Sequence, residues 1–305
     1  MSGILKAGVV GAGVFGGYHA KKYVELDGVN LVGVFDVDLA RAKALAESLG
    51  AEAFDDLAAM LAGVDVVTVA SPAVTHAGAA LAALKAGKPV YVEKPLATSL
   101  EDADALVGEA SRRKLVLACG HQERVVFQAM GLFDIPERPL RLEAVRKGPA
   151  SPRSLDVSVV LDLMIHDLDL ALALTPADPL AVEGEGAFVN NDTLDAVTTE
   201  VTFDDGFTAV FAASRVAEAR ERTMTLHYPS GVVEINFVAR TFRNTTRHPL
   251  DEAFADTAAG RDPLGANVRG FLAAVRGEAP RPPVTGEEAA RALDLALAVE
   301  QAAGG

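Results

Sequence analysis

The hexapeptide Gly11-Ala12-Gly13-Val14-Phe15-Gly16 constrains this chain more than any other segment, because it lies where an apolar strand over residues 4–10 gives way to a helix-patterned stretch. In a strand–turn–helix unit each glycine of a GxGxxG run has its own duty. Gly11 permits the tight turn, Gly13 lets backbone approach a bound pyrophosphate, and Gly16 lets the helix pack closely on the strand. The N–H groups at the helix start, around Val14 and Phe15, favour an anion. An ordinary glycine turn is the bland alternative, and the placement between strand and helix argues against it.

The same pattern recurs downstream. Residues 31–35 read as a second strand ending at Asp36, 39–49 as an amphipathic helix closed by Gly50, and 64–70 as a buried parallel strand. A helix over 77–86, a short strand over 89–92, a helix over 100–113 and a strand over 115–119 complete the series. This alternation predicts an α/β Rossmann domain with a doubly wound parallel sheet over 1–121, binding NAD(P). Beyond Gly120 the texture turns β-rich, at 140–146, 193–203, 207–213, 223–227 and 232–237, broken by turn signals such as Asp204-Asp205-Gly206 and Pro229-Ser230-Gly231. A helix over 161–174 interrupts these strands, and helices over 264–275 and 287–302 end the chain. An α+β domain with an open, mainly antiparallel sheet is expected over 122–305. Its last helices are available to pack back on the Rossmann domain.

Asp36 stands at the end of the second strand, where a carboxylate can accept hydrogen bonds from the adenosine ribose. A 2′-phosphate there would meet a like charge, a repulsion of about 4 kcal/mol at about 4 Å and an effective dielectric near 20, which favours NAD over NADP. Arg41 is the nearby cation, but the following helix is expected to carry it away into solvent. The alternative for Asp36 is a turn or helix-cap carboxylate.

With 305 residues the chain has room for two cores. Its formal net charge of −14 and lack of a Lys/Arg-rich run argue against a nucleic-acid partner. Cys119 is its one cysteine, which excludes an internal disulfide and a multi-thiolate metal site and suits a reducing compartment. The N-terminal stretch has no signal-peptide pattern, and no apolar run reaches the roughly 18 residues a membrane helix needs, so a cytoplasmic protein without a membrane partner is expected. No HExxH or comparable metal spacing is found.

Three further segments carry a family resemblance: ASPAVTHAGAALAALKAGKPVYVEKPLATS at 70–99, GHQER at 120–124 and VVLDLMIHDLDL at 159–170. Together with GAGVFG they resemble the glucose-fructose oxidoreductase / inositol dehydrogenase / MocA (Gfo/Idh/MocA) family. The run from RKGP at 146–149 through Arg153 to DLMIHDLD is most similar to the UDP-N-acetylglucosamine 3-dehydrogenases within it. The resemblance implies that Lys94 lies near the nicotinamide and the substrate hydroxyl, that Asp162 and His166 sit in the pocket, and that His166 is the acid/base. It also implies that Glu93 and the stretch Ser71-Pro72 to His76 line the cofactor site, that the second domain serves substrate binding and oligomerisation, and that the protein is a dimer or tetramer. Met164 and the run ERVVFQ at 123–128 depart from the family pattern and bear on the identity of the sugar.

The residues suit such a reaction. Asp162 and His166 are four apart on an expected helix and would share a face. An imidazole titrating near neutrality is a fit general base, and an ammonium at Lys94 would stabilise an alkoxide. The competing readings are an interior histidine on a helix with an acidic solvent face, and a solvated loop lysine. Pro95 holds Lys94 in extended backbone, with the isomer of that bond left open by the sequence. Arg124, Arg146 and Arg153 are candidate clamps for a substrate diphosphate or carboxylate. His121 beside Gln122 is a candidate cleft residue or a turn histidine, and Tyr18 and His19 read as packing or surface residues. The expected function is NAD(H)-dependent hydride transfer to or from a secondary hydroxyl of a sugar or nucleotide sugar. The rivals are a non-catalytic NAD/sugar-binding regulator and an enzyme with retained NAD that cleaves glycosides or epimerises sugars.

Overall fold

Six strands, β1 (Leu5–Val10), β2 (Val29–Phe35), β3 (Glu52–Phe54), β4 (Val66–Val69), β5 (Val90–Val92) and β6 (Leu117–Cys119), pair in parallel in the order β3-β2-β1-β4-β5-β6. This computed structural model describes residues 3–151, 156–190 and 192–304. Every residue of β4 and β5 is buried, as expected of parallel strands covered on both faces. The helices between them are closed by local chemistry legible in the sequence. Asp38 accepts from the N–H groups of Ala40 and Arg41 to start helix Leu39–Leu49, and Gly50, at φ +71°, ends it. The strand order reverses between β1 and β4, and ligands of open α/β sheets bind beside the carboxyl ends of the strands at such a point.

The chain divides into two compact units, one of residues 1–122 with 264–290, the other of 123–263 with 291–305. The stretch 264–290, assigned above to the second domain, belongs by its contacts to the first unit. The cause is apolar: Val268, Phe271 and Leu272 from helix Pro263–Arg276 share one buried cluster with Ala20, Tyr23 and Tyr91.

The second unit is built on a seven-stranded sheet of β7 (Arg141–Lys147), β8 (Pro179–Ala187), β9 (Ala196–Phe203), β10 (Thr208–Ser214), β11 (Glu221–Tyr228), β12 (Gly231–Asn236) and β13 (Thr241–Asn244), ordered β13-β12-β11-β7-β10-β9-β8. All neighbours are antiparallel except β7 and β10. Strict alternation of buried and half-exposed residues in β10 marks a sheet with one covered face. Strands β3, β8 and β13 and the helices Leu57–Gly63 and Glu123–Met130 are absent from the sequence reading. β8 carries two glycines and two glutamates and is exposed along most of its length, so neither periodicity nor β-propensity marks it. Among the described residues no helix is long and apolar enough to cross a membrane.

Candidate active site

The first unit gathers its candidate residues on the loops that follow the carboxyl ends of its strands. Two glycines of the hexapeptide, Gly11 and Gly16, have a measurable steric reason to be there. At Gly11, φ is +99°, and a Cβ would stand 2.7 Å from the Ala70 oxygen and the Ser71 nitrogen. At Gly16 a Cβ would fall 1.7 Å from the Gly11 oxygen, so only glycine lets helix Val14–Glu25 lie so close to the turn. At Gly13 an added Cβ meets nothing within 4 Å. Gly13 is the N-cap and offers no capping side chain, leaving the first N–H groups of the helix for an outside acceptor. An open cradle over a bare helix N-terminus fits the pyrophosphate of a dinucleotide.

Asp36 fixes the rim of this cradle. Its Oδ2 accepts from Ala12 N–H at 2.7 Å and its Oδ1 from Asp38 N–H at 2.9 Å, so the carboxylate ties the hexapeptide to the end of β2. Arg41 is not carried away by its helix as expected. Its Nη2 lies 3.8 Å from Asp36 Oδ1 while its Nε donates to Asp38 Oδ2 at 3.1 Å, although the side chain is 59% exposed. The first turn of the helix places Arg41 above the carboxylate that caps it.

Glu93, expected on the cofactor wall, is instead buried. Its Oε1 lies 2.6 Å from His19 Nε2 and its Oε2 accepts from the backbone N–H of Lys94 at 3.2 Å. A Cβ at Gly120 would come within 2.8 Å of that Oε2, so Gly120 leaves the carboxylate its space. Burial alone would raise the Glu93 carboxyl, but the hydrogen bond and charge of His19, with Lys94 and His76 nearby, outweigh it and hold the group below its ordinary value. His19 is completely buried and has a larger part than a packing residue. The signal was present: Gly16, His19, Ala20 and Tyr23 form the i, i+3, i+4, i+7 stripe that a helix turns inward. His76, also buried, sets Nδ1 2.7 Å from the Pro95 oxygen and Nε2 2.8 Å from the Ser71 oxygen, linking the loops after β4 and β5. Burial pushes its imidazole down, against the two carbonyls that favour the protonated ring. Lys94 is half-buried and precedes a cis bond to Pro95. Val14 and Phe15 are 49% and 43% exposed at the helix start, and Tyr18 is 52% exposed on the same helix.

In the second unit the segment carrying Asp162 and His166 is not one α-helix. Val160–Met164 is a π-helical turn, in which the Ile165 N–H reaches back to the Val160 oxygen, and a regular α-helix follows over Ile165–Leu174. Such insertions widen the turn and re-aim side chains, and they recur at functional sites. Asp162 and His166 are half-buried on this stretch. His166 Nδ1 lies 2.8 Å from Glu123 Oε2, a residue the sequence reading passed over. Nothing local announces Glu123, since its partner is far along the chain. Burial opposes the ionised Glu123 carboxyl, but the charges of His166 and Arg146 prevail and hold it well below the usual range.

The acidic helix face that the competing reading gave to solvent points inward. Asp167 and Asp169 are 3% and 0% exposed, each taken by an arginine fork. Arg146 donates through Nε and Nη2 to Asp167, both at 2.8 Å, and through Nη1 to Glu123 at 2.9 Å. Arg124 donates through Nε and Nη2 to Asp169, both at 2.8 Å. This corrects their expected role as substrate clamps: both forks are filled by internal carboxylates, and Arg146 is shut off from solvent. Arg153 lies outside the described residues. His121 is buried. Among the described residues no group of three or more His, Cys, Asp and Glu could hold a metal ion.

Residues 5–121 match the family described as "Oxidoreductase family, NAD-binding Rossmann fold", and residues 142–234 match the GFO/IDH/MocA C-terminal domain. The UDP-N-acetylglucosamine 3-dehydrogenase of Acidithiobacillus ferrooxidans is 38% identical over 287 residues, covering 90% of each protein. A solved structure of that enzyme superposes with a TM-score of 0.90, covering 99% of this chain and 98% of the other. The scyllo-inositol 2-dehydrogenase (NAD(+)) of Bacillus subtilis is 29% identical over 232 residues, 70% of this chain and 68% of that protein.

Proposed function

The chain belongs to the Gfo/Idh/MocA family of oxidoreductases, and from that premise we propose that this NAD-dependent dehydrogenase acts on the 3-hydroxyl of a UDP-N-acetylhexosamine. The 38% identity across nine-tenths of both chains supports a nucleotide sugar over an inositol. The observation that carries the chemistry is the His166–Glu123 pair, an imidazole whose Nδ1 lies 2.8 Å from a carboxylate that the charges of His166 and Arg146 hold ionised against its burial.

Bound NAD supplies the hydride acceptor. Gly13 and the N–H groups of the helix that it caps would take the pyrophosphate, and Asp36 the adenosine ribose. Ser71, Pro72 and the loop that His76 braces would border the cofactor. With Nδ1 2.8 Å from Glu123 Oε2, His166 takes the hydroxyl proton at Nε2, and Glu123 stabilises the imidazolium that results. The Lys94 ammonium, its backbone fixed by Glu93, stabilises the transient alkoxide. Asp162 would orient the sugar through a neighbouring hydroxyl. The carbon–hydrogen bond breaks with both electrons leaving as hydride, the proton passes to His166, and a ketone remains.

Purified protein with NAD and UDP-N-acetylglucosamine should accumulate reduced cofactor, read from the nicotinamide absorbance. Lys94→Ala and His166→Ala should lower turnover by at least about 100-fold while NADH still binds. Undiminished turnover in both variants would remove these roles. Steady stoichiometric release of NADH also separates a dehydrogenase from a regulator or an enzyme that recycles its cofactor. The outer face of the seven-stranded sheet, with Val145, Val210 and Thr225 half-exposed, supports a homo-oligomer, to be checked by light scattering of the eluting protein. The buried Cys119 supports a reducing, cytoplasmic setting.

A further inference from the structure

The arginine cluster of the second unit has a third member that sequence reasoning did not single out. Arg222 of β11 stands directly opposite Arg146 of β7 in the antiparallel register, so both side chains leave the same face of the sheet, with Cβ atoms about 5 Å apart. Two like charges so placed repel unless anions intervene. Arg146 has its anions, Asp167 and Glu123. Among the described residues Arg222 has none in contact, and its Nε, removed from solvent, meets no hydrogen-bond acceptor. A buried donor in that condition is uncommon, because leaving it unsatisfied forfeits its hydration without return. Burial first, then the charges of Arg146 and Arg220, push its pKa down, with Glu123 and Asp167 opposing. The guanidinium stays a cation regardless.

The contrast with its neighbours gives this half-buried guanidinium a meaning. Arg124 and Arg146 spend their forks on internal carboxylates, whereas the fork of Arg222 is held at the edge of the same cluster that contains Glu123 and His166. Phe237, whose N–H donates to the Arg222 carbonyl at 2.9 Å, lies 6.0 Å beneath the Arg146 guanidinium and stacks on Phe127, which makes the surroundings stiff. A planar fork in a stiff, partly dry setting recognises a tetrahedral or planar oxyanion in bidentate fashion.

We propose that Arg222 is the substrate's oxyanion-binding residue, its guanidinium taking the phosphate oxygens of a nucleotide-sugar diphosphate. This rests on the nucleotide-sugar reading above and names the side chain that would enforce it. A neutral polyol offers the guanidinium no charge to pair with, so discrimination against inositols follows from the same group.

The test is calorimetric titration of the NAD-loaded protein with UDP, uridine and glucuronate, in wild type, Arg222→Gln and Arg222→Lys. UDP should bind Arg222→Gln about 10- to 100-fold more weakly than wild type, uridine should bind both alike, and Arg222→Lys should recover part of the loss. The melting temperature of Arg222→Gln should stay level or rise, since no internal ion pair is broken, and a fall of several degrees would instead mark a structural role and overturn the proposal. Equal UDP affinity in wild type and Arg222→Gln, or a parallel loss of uridine, would overturn it. Glucuronate lost from the variant while UDP is retained would assign a carboxylate instead and overturn the phosphate reading. Absence of turnover on UDP-N-acetylglucosamine would strike the proposed reaction and leave the binding result standing.

Discussion

Replacing Gly13 by alanine should raise stability and lower cofactor affinity at once. The backbone at Gly13 is extended, with φ −77° and ψ −167°, a conformation that alanine adopts without strain. The added methyl would meet no atom of the protein within 4 Å. Its main effect on folding is then to restrict the unfolded chain, worth about 0.4–1 kcal/mol, or about 1–4 °C in the melting temperature of the apoprotein. The same methyl occupies the ground over which a pyrophosphate must come to reach the helix N–H groups. Displacing the phosphates costs one charge-assisted hydrogen bond or more, about 1.5–3 kcal/mol, so the Kd for NADH should rise about 10- to 100-fold. Gly16→Ala is the contrasting control. There the methyl would lie 1.7 Å from the Gly11 oxygen, the helix must shift, and melting temperature and NADH binding should fall together. Differential scanning fluorimetry without cofactor and fluorescence titration with NADH measure both quantities. NADH binding by Gly13→Ala within about twofold of wild type would refute the cradle, and a lowered melting temperature would refute the open space.

Other expectations follow from the buried charges. Glu123→Gln keeps the shape beside His166 but removes the carboxylate that steadies an imidazolium, so turnover should fall about 100-fold with NADH affinity unchanged, as steady-state and binding assays would show. Asp167→Asn leaves Arg146 short of one buried charge and should cost about 3–5 kcal/mol by denaturant unfolding, whereas removal of an exposed partner such as Glu234 should cost less than about 1 kcal/mol. Asp36→Ser removes the carboxylate while Arg41 remains beside the site. Its preference for NAD over NADP should shrink by at least about tenfold, measured as the ratio of kcat/KM values.

Much of the first unit was readable because its signals are local. A strand, a glycine turn and a helix follow one another within twenty-five residues, and the duties of Gly11 and Gly16 concern atoms that the turn itself brings together. The second sheet was partly readable, through alternation at β7, β9, β10, β11 and β12, while the exposed, glycine-bearing β8 left no pattern. The site was least readable where charge meets charge. Arg124 and Arg146 looked like ligands for a substrate, and an acidic helix face in solvent stayed open for Asp167 and Asp169, because each was considered without its partner. Glu123 and His166 stand more than forty residues apart, and a widened turn re-aims the residues between Val160 and Met164.

The sequence by itself determined the element types, the phosphate-binding turn and the family, since backbone conformation and hydrophobic period are set by neighbours along the chain. Only the tertiary structure decided which charges are spent inside the protein and which are left to meet a ligand. A salt bridge between distant residues has no period and no motif, and burial decides whether an arginine is anchor or clamp.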